Sequence, residues 1–354
     1  MDFTFTEDQL LFREAIGRFL STEASPENLR DIWSNEQAPI DNLLEQICAQ
    51  GLSALSIPEA NGGLGMGDIA WSLMTQELGY YAVVDQLADA AYVGAGLISA
   101  LPNTVALKAE YLDKICEGKL RLAIGHECSP LVADAQLAGV LLMQHNNEVH
   151  IVSPDNVRIT PNASIDTSRR LAQVDWQPSD KTCAASGEEG QIIWQETLNR
   201  GALSVAGQLL GLAQRMLDLS VEYSLQRKQF GKEIGSFQAV KHQLADVAGK
   251  IEIAKPVLYR AACSLENKHP LSDIHVSQAR NFCNDAAALA ARHSIQVHGA
   301  MGYTWEVDLQ MYMKRSWALN NTWGDSTCHQ ARVQNYVLNT DVDLAPSKTF
   351  EVMS

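Results

Sequence analysis

The chain has 354 residues, 46% of them hydrophobic and 19% charged, the balance of a globular protein of about two or three domains. Its formal net charge of −15 argues against general nucleic-acid binding, because most faces would repel backbone phosphates; a small phosphate-bearing ligand needs only a local cluster of cations. No apolar run approaches the roughly 20 residues that cross a bilayer, and "MDFTFTEDQLLF" lacks the basic and long apolar regions of a signal peptide.

In chain order, Thr6 and Gln9 form a capping-box pattern. Leu10, Leu11, Phe12, Ile16, Phe19 and Leu20 then follow helical spacing. "PIDNLLEQICAQGLSAL" repeats that pattern and stops near Gly51, and "IPEANGGLGMGD" is a glycine-rich loop. "DIAWSLMTQELGYYA" and "AEYLDKICEGKL" are further helices. Residues 1–118 therefore read as an N-terminal α-helical domain. Short β-branched and aromatic runs follow: "LAGVLLM", "EVHIVS", "VRITP", "AQVDWQ" and "QIIWQE". They predict a middle antiparallel β-domain over 119–198. Long helical stretches then begin at "GALSVAGQLLGLAQRMLDLSVEYSLQRK" and continue through "SFQAVKHQLADVAGKIEIAKPVLYRAACSL" and "VSQARNFCNDAAALAARHSIQVHG". With "VDLQMYMKRSWALNN" and "DSTCHQARVQNYVLN" they predict a C-terminal helical bundle over 199–354. The fold class is mainly α with a small β-domain.

The seven cysteines (Cys48, Cys116, Cys128, Cys183, Cys263, Cys283, Cys328) are scattered, with no C-x-x-C pair. This disfavours a zinc ribbon or redox dithiol and suits a reducing, cytoplasmic setting. The adjacent His126, Glu127 and Cys128 cannot all face one ion from a strand, so no metal site is expected.

Two stretches carry candidate chemistry. In "YSLQRKQFGKEIGSFQAVKH", Arg227 ends a long helix, where a cation complements the negative terminus. Its planar fork equally suits a phosphate. Gln229 and Gln238 could bond an adenine edge and Phe230 could cover its face. In "SIQVHGAMGYTWE", Gly299 and Gly302 interrupt two helices beside Gln296 and His298. The glycines serve either as a helix C-cap or as a close approach for a pyrophosphate.

Together with "PEANGGLGMG", these stretches are similar to the acyl-CoA dehydrogenase family, in the same order and over the length of the chain. The resemblance implies FAD shared across a subunit interface in a dimer of dimers. It implies that Arg227 meets the FAD pyrophosphate and that Gln229, Phe230 and Gln238 serve the adenine and ribose. Gln296, His298, Gly299 and Gly302 would line the neighbouring ADP half. It also implies α,β-desaturation of an acyl-CoA thioester. A carboxylate would take the α-proton, flavin would take the β-hydride, and an electron-transfer flavoprotein would take the electrons.

The sequence departs from the family at two places. Where relatives carry a glutamate base, this chain reads "KRSWALNNTWGDSTCHQ". Gly324 stands at or beside the base position and Asp325 is the nearby acid, either a short base or the N-cap of the following helix. At the alternative base location stand Arg200, Gly201 and Ala202, with no carboxylate. Where relatives carry Thr-Glu-Pro-x-x-Gly-Ser-Asp around the flavin ring, this chain has "AIGHECSPLVADAQLAG". The ADP-gripping residues are thus present while the ring cradle and base are altered. That pattern resembles the bacterial α2β2 branch acting on steroid side-chain CoA esters. There this chain would complete the FAD site of a homologous subunit that brings the carboxylate. The alternatives are a self-sufficient homotetramer using Asp325 and a flavin-free structural subunit.

Overall fold

The computed structural model describes residues 4–34, 41–83 and 86–339. The N-terminal part holds α1 (Glu7–Glu23), α2 (Pro26–Ser34), α3 (Asp41–Ala49) and α4 (Asp68–Tyr80). The Thr6–Gln9 capping box is formed in both directions. Then α5 (Gln86–Ala88), a π-turn at Asp89–Gly94 and α6 (Ala95–Ala100) run as one rod, followed by α7 (Lys108–Cys116). In the π-turn the Ala95 N–H reaches back to the Ala90 carbonyl, five residues away rather than four.

The middle domain has two small sheets. One has the order β1 (Leu122–Gly125), β3 (Val140–His145), β4 (Glu148–Val152), β7 (Cys183–Ala185); the other runs β2 (Val132–Ala133), β6 (Leu171–Asp175), β5 (Arg158–Asn162). Their ladders are antiparallel except β1 with β3, which is parallel. Ala123, Leu141, Met143, Val152 and Ala172 fill the space between the sheets.

Here one sequence expectation is corrected. "QIIWQE" is not a strand but part of α8 (Gly187–Gln226), a helix of 40 residues. A short apolar run has no period of its own to tell strand from helix. The signals that decide are at its edge: Glu188 and Glu189 in the first turn, where the helix terminus favours negative charge.

The bundle continues with the two-stranded ribbon β8 (Lys228–Gln229) and β9 (Lys232–Glu233), α9 (Gln238–Glu266), α10 (Ser272–His298), α11 (Leu309–Leu319) and α12 (Ser326–Asn339). Helix α4 is buried on most of its surface against α8. Missing side chains make that approach possible: a Cβ on Gly79 would stand 2.1 Å from the Gln208 carbonyl, and one on Gly211 would stand 2.0 Å from that of Gln76. The N-terminal helices and the bundle therefore share one hydrophobic core. Among the described residues no helix is long and apolar enough to cross a membrane.

A buried ion pair joins the three parts. Arg315 on α11 donates to Asp166 Oδ2 and Ser168 Oγ, each at 2.9 Å, in the β5–β6 loop, and to the Val83 carbonyl after α4. Asp166 and Arg315 are at most 1% exposed. Arg169 of the same loop donates to the Ala318 carbonyl at 3.0 Å and to Thr322 Oγ1 at 2.9 Å. Removing one partner of a buried pair leaves the other charge stranded, at about 3–5 kcal/mol. Arg315→Met is expected to destabilise the chain by that amount, read as a lowered midpoint in denaturant unfolding. Arg315→Lys, which keeps the charge but not the fork, should recover only part of it.

Candidate cofactor site

At the end of α8, the Arg227 N–H still bonds the Tyr223 carbonyl at 2.9 Å, but its ψ of 125° ends the helix. The chain turns back through the ribbon, and the Arg227 carbonyl accepts from Ile234 N–H at 2.8 Å. Phe230 and Gly231 form the two-residue turn, with φ of 52° and 80°. Two positive φ values in succession are what a type I′ hairpin demands. Glycine takes that shape freely; phenylalanine takes it at a cost. Phe230 is also 91% exposed. It meets Phe237 edge to face at 6.2 Å, and Lys232 Nζ sits 4.4 Å above the Phe237 ring. Gln238 opens α9.

Arg227, Gln229, Phe230 and Gln238 thus all lie exposed on this ribbon and the adjoining helix start. Neither Arg227 nor the two glutamines uses its side chain in a hydrogen bond or ion pair with another described residue. The expected charge complementarity between Arg227 and the helix end remains, but no hydrogen bond or ion pair from another described residue holds the guanidinium.

The second stretch meets the first through an aromatic stack. Helix α10 ends at His298, and Gly299 follows with φ 63°. The His298 imidazole lies on the Tyr223 ring, centroids 4.3 Å apart and planes 20° apart. Its Nδ1 faces the Ser294 carbonyl at 2.9 Å, so Nδ1 carries the proton. Burial holds its pKa below the ordinary histidine value. Gln296 and Gly299 are exposed, whereas His298 and Gly302 are buried. The structure thus gathers the two motifs, but His298 supports the stack from below rather than presenting itself to solvent. Tyr223, one turn before Arg227, is the joining residue that spacing alone did not mark for a role.

The altered segments lie elsewhere, between the three domains. Asp325 Oδ1 accepts the Cys328 N–H at 2.8 Å and the Asp325 carbonyl accepts the His329 N–H at 3.1 Å, the bonds of an N-cap on α12. Before it, Trp323 has φ 57° and is 3% exposed. Its indole lies flat on His126, centroids 4.3 Å apart and planes 12° apart. Its Nε1 donates to Asp89 Oδ1 at 3.1 Å. Gly201 on α8 leaves room for it, since a Cβ there would stand 2.1 Å from the indole. The Trp323 carbonyl accepts from His329 Nε2 at 3.0 Å. The segment of His126 and the segment of Gly324 and Asp325 are therefore pressed together, with a tryptophan filling the space between them. Trp323 was missed in the sequence because its only trace is the pair Trp323-Gly324 and a distant Gly201.

Nearby, Arg200 is engaged by Asp68 at 3.3 Å and by Glu196 at 3.5 Å. Asp68 also accepts from Tyr92 at 2.6 Å. Asp68 and Glu196 are thus both paired with Arg200.

A model of the acyl-CoA dehydrogenase N-terminal domain matches residues 6–119, and one of the C-terminal domain matches residues 188–336. The acyl-CoA dehydrogenase IpdE2 of Mycolicibacterium smegmatis is 30% identical over 314 residues, covering 88% of this chain and 93% of that protein. The probable acyl-CoA dehydrogenase YngJ of Bacillus subtilis is 24% identical over 89% of this chain and 93% of its own. Among solved structures, the ChsE4–ChsE5 complex of Mycobacterium tuberculosis superposes with a TM-score of 0.86 at 21% identity, over 97% of this chain and 100% of that one. Butyryl-CoA dehydrogenase from Megasphaera elsdenii superposes with 0.85 at 21%, over 96% and 100%. Two domains of one oxidoreductase fold, in order over residues 6–119 and 188–336, define the class. The chain belongs to the acyl-CoA dehydrogenase family.

Two outcomes are expected. Phe230→Asn should leave the fold as stable or more so by about 1 kcal/mol, because asparagine tolerates positive φ; thermal unfolding reads this, and a loss of stability would mean that Phe230 is held by the chain itself. Second, burial pushes His126 and His329 each down to about 4. Both rings are neutral when folded, while the unfolded chain binds protons at about 6.5. Their contribution is therefore complete above about pH 6.5 and drains as pH falls toward about 4. Melting temperature measured across that window should fall with acid, and His126→Phe, which keeps a flat ring under Trp323, should flatten the slope.

Proposed function

We propose that this chain is the partner-type subunit of an FAD-dependent acyl-CoA dehydrogenase that desaturates an acyl-CoA thioester between Cα and Cβ. It contributes Arg227, Gln229, Phe230 and Gln238, with Gln296 and Gly299 alongside, to the ADP half of an FAD shared with a homologous subunit. That subunit supplies the flavin-ring cradle and the carboxylate base, in an α2β2 assembly. Bound FAD supplies the two-electron acceptor of the reaction. This chain's part is to bind and orient its diphosphate and adenine.

The observation that carries the reading is an asymmetry within one chain. The ADP-side groups stand outward with their hydrogen-bonding capacity unspent, on a strained turn that folding alone does not require. They fit a dinucleotide: a fork for the diphosphate, two amides for base or ribose, and an aromatic face. The ring-side segments do not fit a flavin in this chain, because Trp323 on His126 fills the space between them and Asp325 caps a helix. The ring therefore belongs to the partner. The two-chain ChsE4–ChsE5 complex, and the structure described as the Tcur3481–Tcur3483 steroid acyl-CoA dehydrogenase, support an unlike partner. They also favour a steroid-derived acyl group as substrate. By the same family likeness, an electron-transfer flavoprotein reoxidises the flavin.

Produced alone, the chain should be colourless; co-produced with its partner, the complex should carry about one FAD per pair of unlike chains. A charge-assisted contact contributes about 1.5–3 kcal/mol, so Arg227→Ala should weaken FAD retention by roughly 10- to 100-fold. Flavin absorbance of the gel-filtered complex measures this. Yellow protein from the chain alone, bleached by an acyl-CoA, would identify a self-sufficient enzyme. Unchanged FAD content in Arg227→Ala would reduce the chain to a scaffold.

A further inference from the structure

We propose that Glu148, His150 and Cys183 form a zinc site that ties the edge strand β7 to β4. Glu148 and His150 are two apart on β4, so both side chains leave the same face of the sheet. Cys183 of β7 stands opposite His150 in the ladder. The ligand atoms of the three lie within 4.8 Å of one another. Tetrahedral zinc with bonds of about 2.0–2.3 Å holds its donors about 3.3–3.8 Å apart, so modest side-chain adjustment closes the set. A thiol, an imidazole and a carboxylate together suit zinc rather than calcium or magnesium, which prefer oxygen alone. His145 lies opposite Glu148 on β3, its ring 6.3 Å from that of His150, and is placed to bring the fourth donor.

The orientation of His150 is the second argument. The ring is 1% exposed, and Trp176 closes one side of it at 5.0 Å. Thr182 Oγ1 lies 2.9 Å from Nδ1 while donating its own proton to the Ser179 carbonyl at 2.9 Å. With Nδ1 as donor to Thr182 Oγ1, Nε2 presents its lone pair toward Glu148 Oε2, 3.0 Å away. In that tautomer the imidazole lone pair and the carboxylate face each other, and a shared cation would accept from both. A metal-bound histidine whose other nitrogen donates to a neighbouring oxygen has this arrangement.

The ladder between β4 and β7 is irregular at Val149/His150. Trp194 of α8 donates to the Glu148 carbonyl at 2.8 Å. A metal here would therefore steady the junction from which α8 departs. Burial and the neighbouring Glu148 charge keep the Cys183 thiol protonated. Zinc capture would release that proton, so occupancy should fall in acid. The sequence alone could not suggest the set, because β5, β6 and the loops around them separate Cys183 from the other two.

The test uses the full chain without an affinity tag, co-produced with its partner where it needs one. Zinc is counted by mass spectrometry after dialysis, and cobalt is substituted for it. The expected result is about one zinc per chain and a thiolate-to-cobalt absorption band. Cys183→Ser should remove the band, and both Cys183→Ser and His150→Gln should weaken zinc at least about tenfold. Should either variant fail to fold by circular dichroism, the isosteric Glu148→Gln reads the same loss. Absence of retained zinc and of the cobalt band would overturn the proposal, leaving a plain imidazolium–carboxylate pair. So would zinc binding that the substitutions leave unchanged.

Discussion

One guanidinium sets the relative positions of everything else. Arg315 is buried in a place where an unpaired charge would be intolerable, and its fork is divided among a carboxylate, a hydroxyl and a carbonyl from two other parts of the chain. Asp166 is matched in turn, accepting also from the Ser168 N–H at 3.0 Å. The pair therefore specifies one arrangement of the β5–β6 loop, α11 and the end of the segment after α4. Arg280 acts from the other side, donating to the Leu319 carbonyl at 3.1 Å and that of Asn320 at 2.8 Å, acceptors at the end of α11 that lack a helical partner. Between them these two arginines decide where the chain leaves α11, and hence where Trp323 lies.

That placement divides the molecule into an inward and an outward chemistry. Inside, Trp323 packs on His126 and over Gly201 and donates to Asp89, while the buried His126 Nδ1 has no partner among the described residues. Outside, the ribbon after α8 and the start of α9 display a cation and two amides whose side chains bond no other described residue, beside an exposed phenyl ring. Leu225, Met301, Tyr303 and Trp305 of the same bundle are exposed as well.

The long helices were legible because their apolar positions recur with a helical period over many turns. The Thr6 cap was legible because its partner is three residues away. The hairpin was legible as punctuation, through Gly231 and Gly235, but not as a type I′ turn with phenylalanine in a left-handed position. The strands were read less well. Leu122–Gly125 is buried on both faces and shows no alternation, so its parallel pairing with β3 left no trace in the sequence. The Ile193–Trp194 pair looked like a strand because its helical period extends into residues assigned elsewhere. Asp325 was left with two roles, because capping depends on an N–H direction that sequence does not carry. The Tyr223–His298 stack and the Trp323–His126 stack each join residues far apart along the chain. Only packing brings them together.

The π-turn at Asp89–Gly94 gives the last of these placements an address in the chain's length. A wide turn is one residue more than the surrounding helix needs. It shifts the side chains before it by about 100° relative to those after it. Asp89 reaches the indole of Trp323 while Leu97 and Ile98 stay in the core, because that extra residue takes up the difference in phase. Loss of a single amino acid here would leave the rod helical and intact to any measure of secondary structure. It would nonetheless swing the aspartate off the tryptophan. The closure of the interior thus depends on a count of residues as much as on their kinds, and an insertion or deletion of one is the shortest route by which a chain of this design could gain or lose an empty space at its centre.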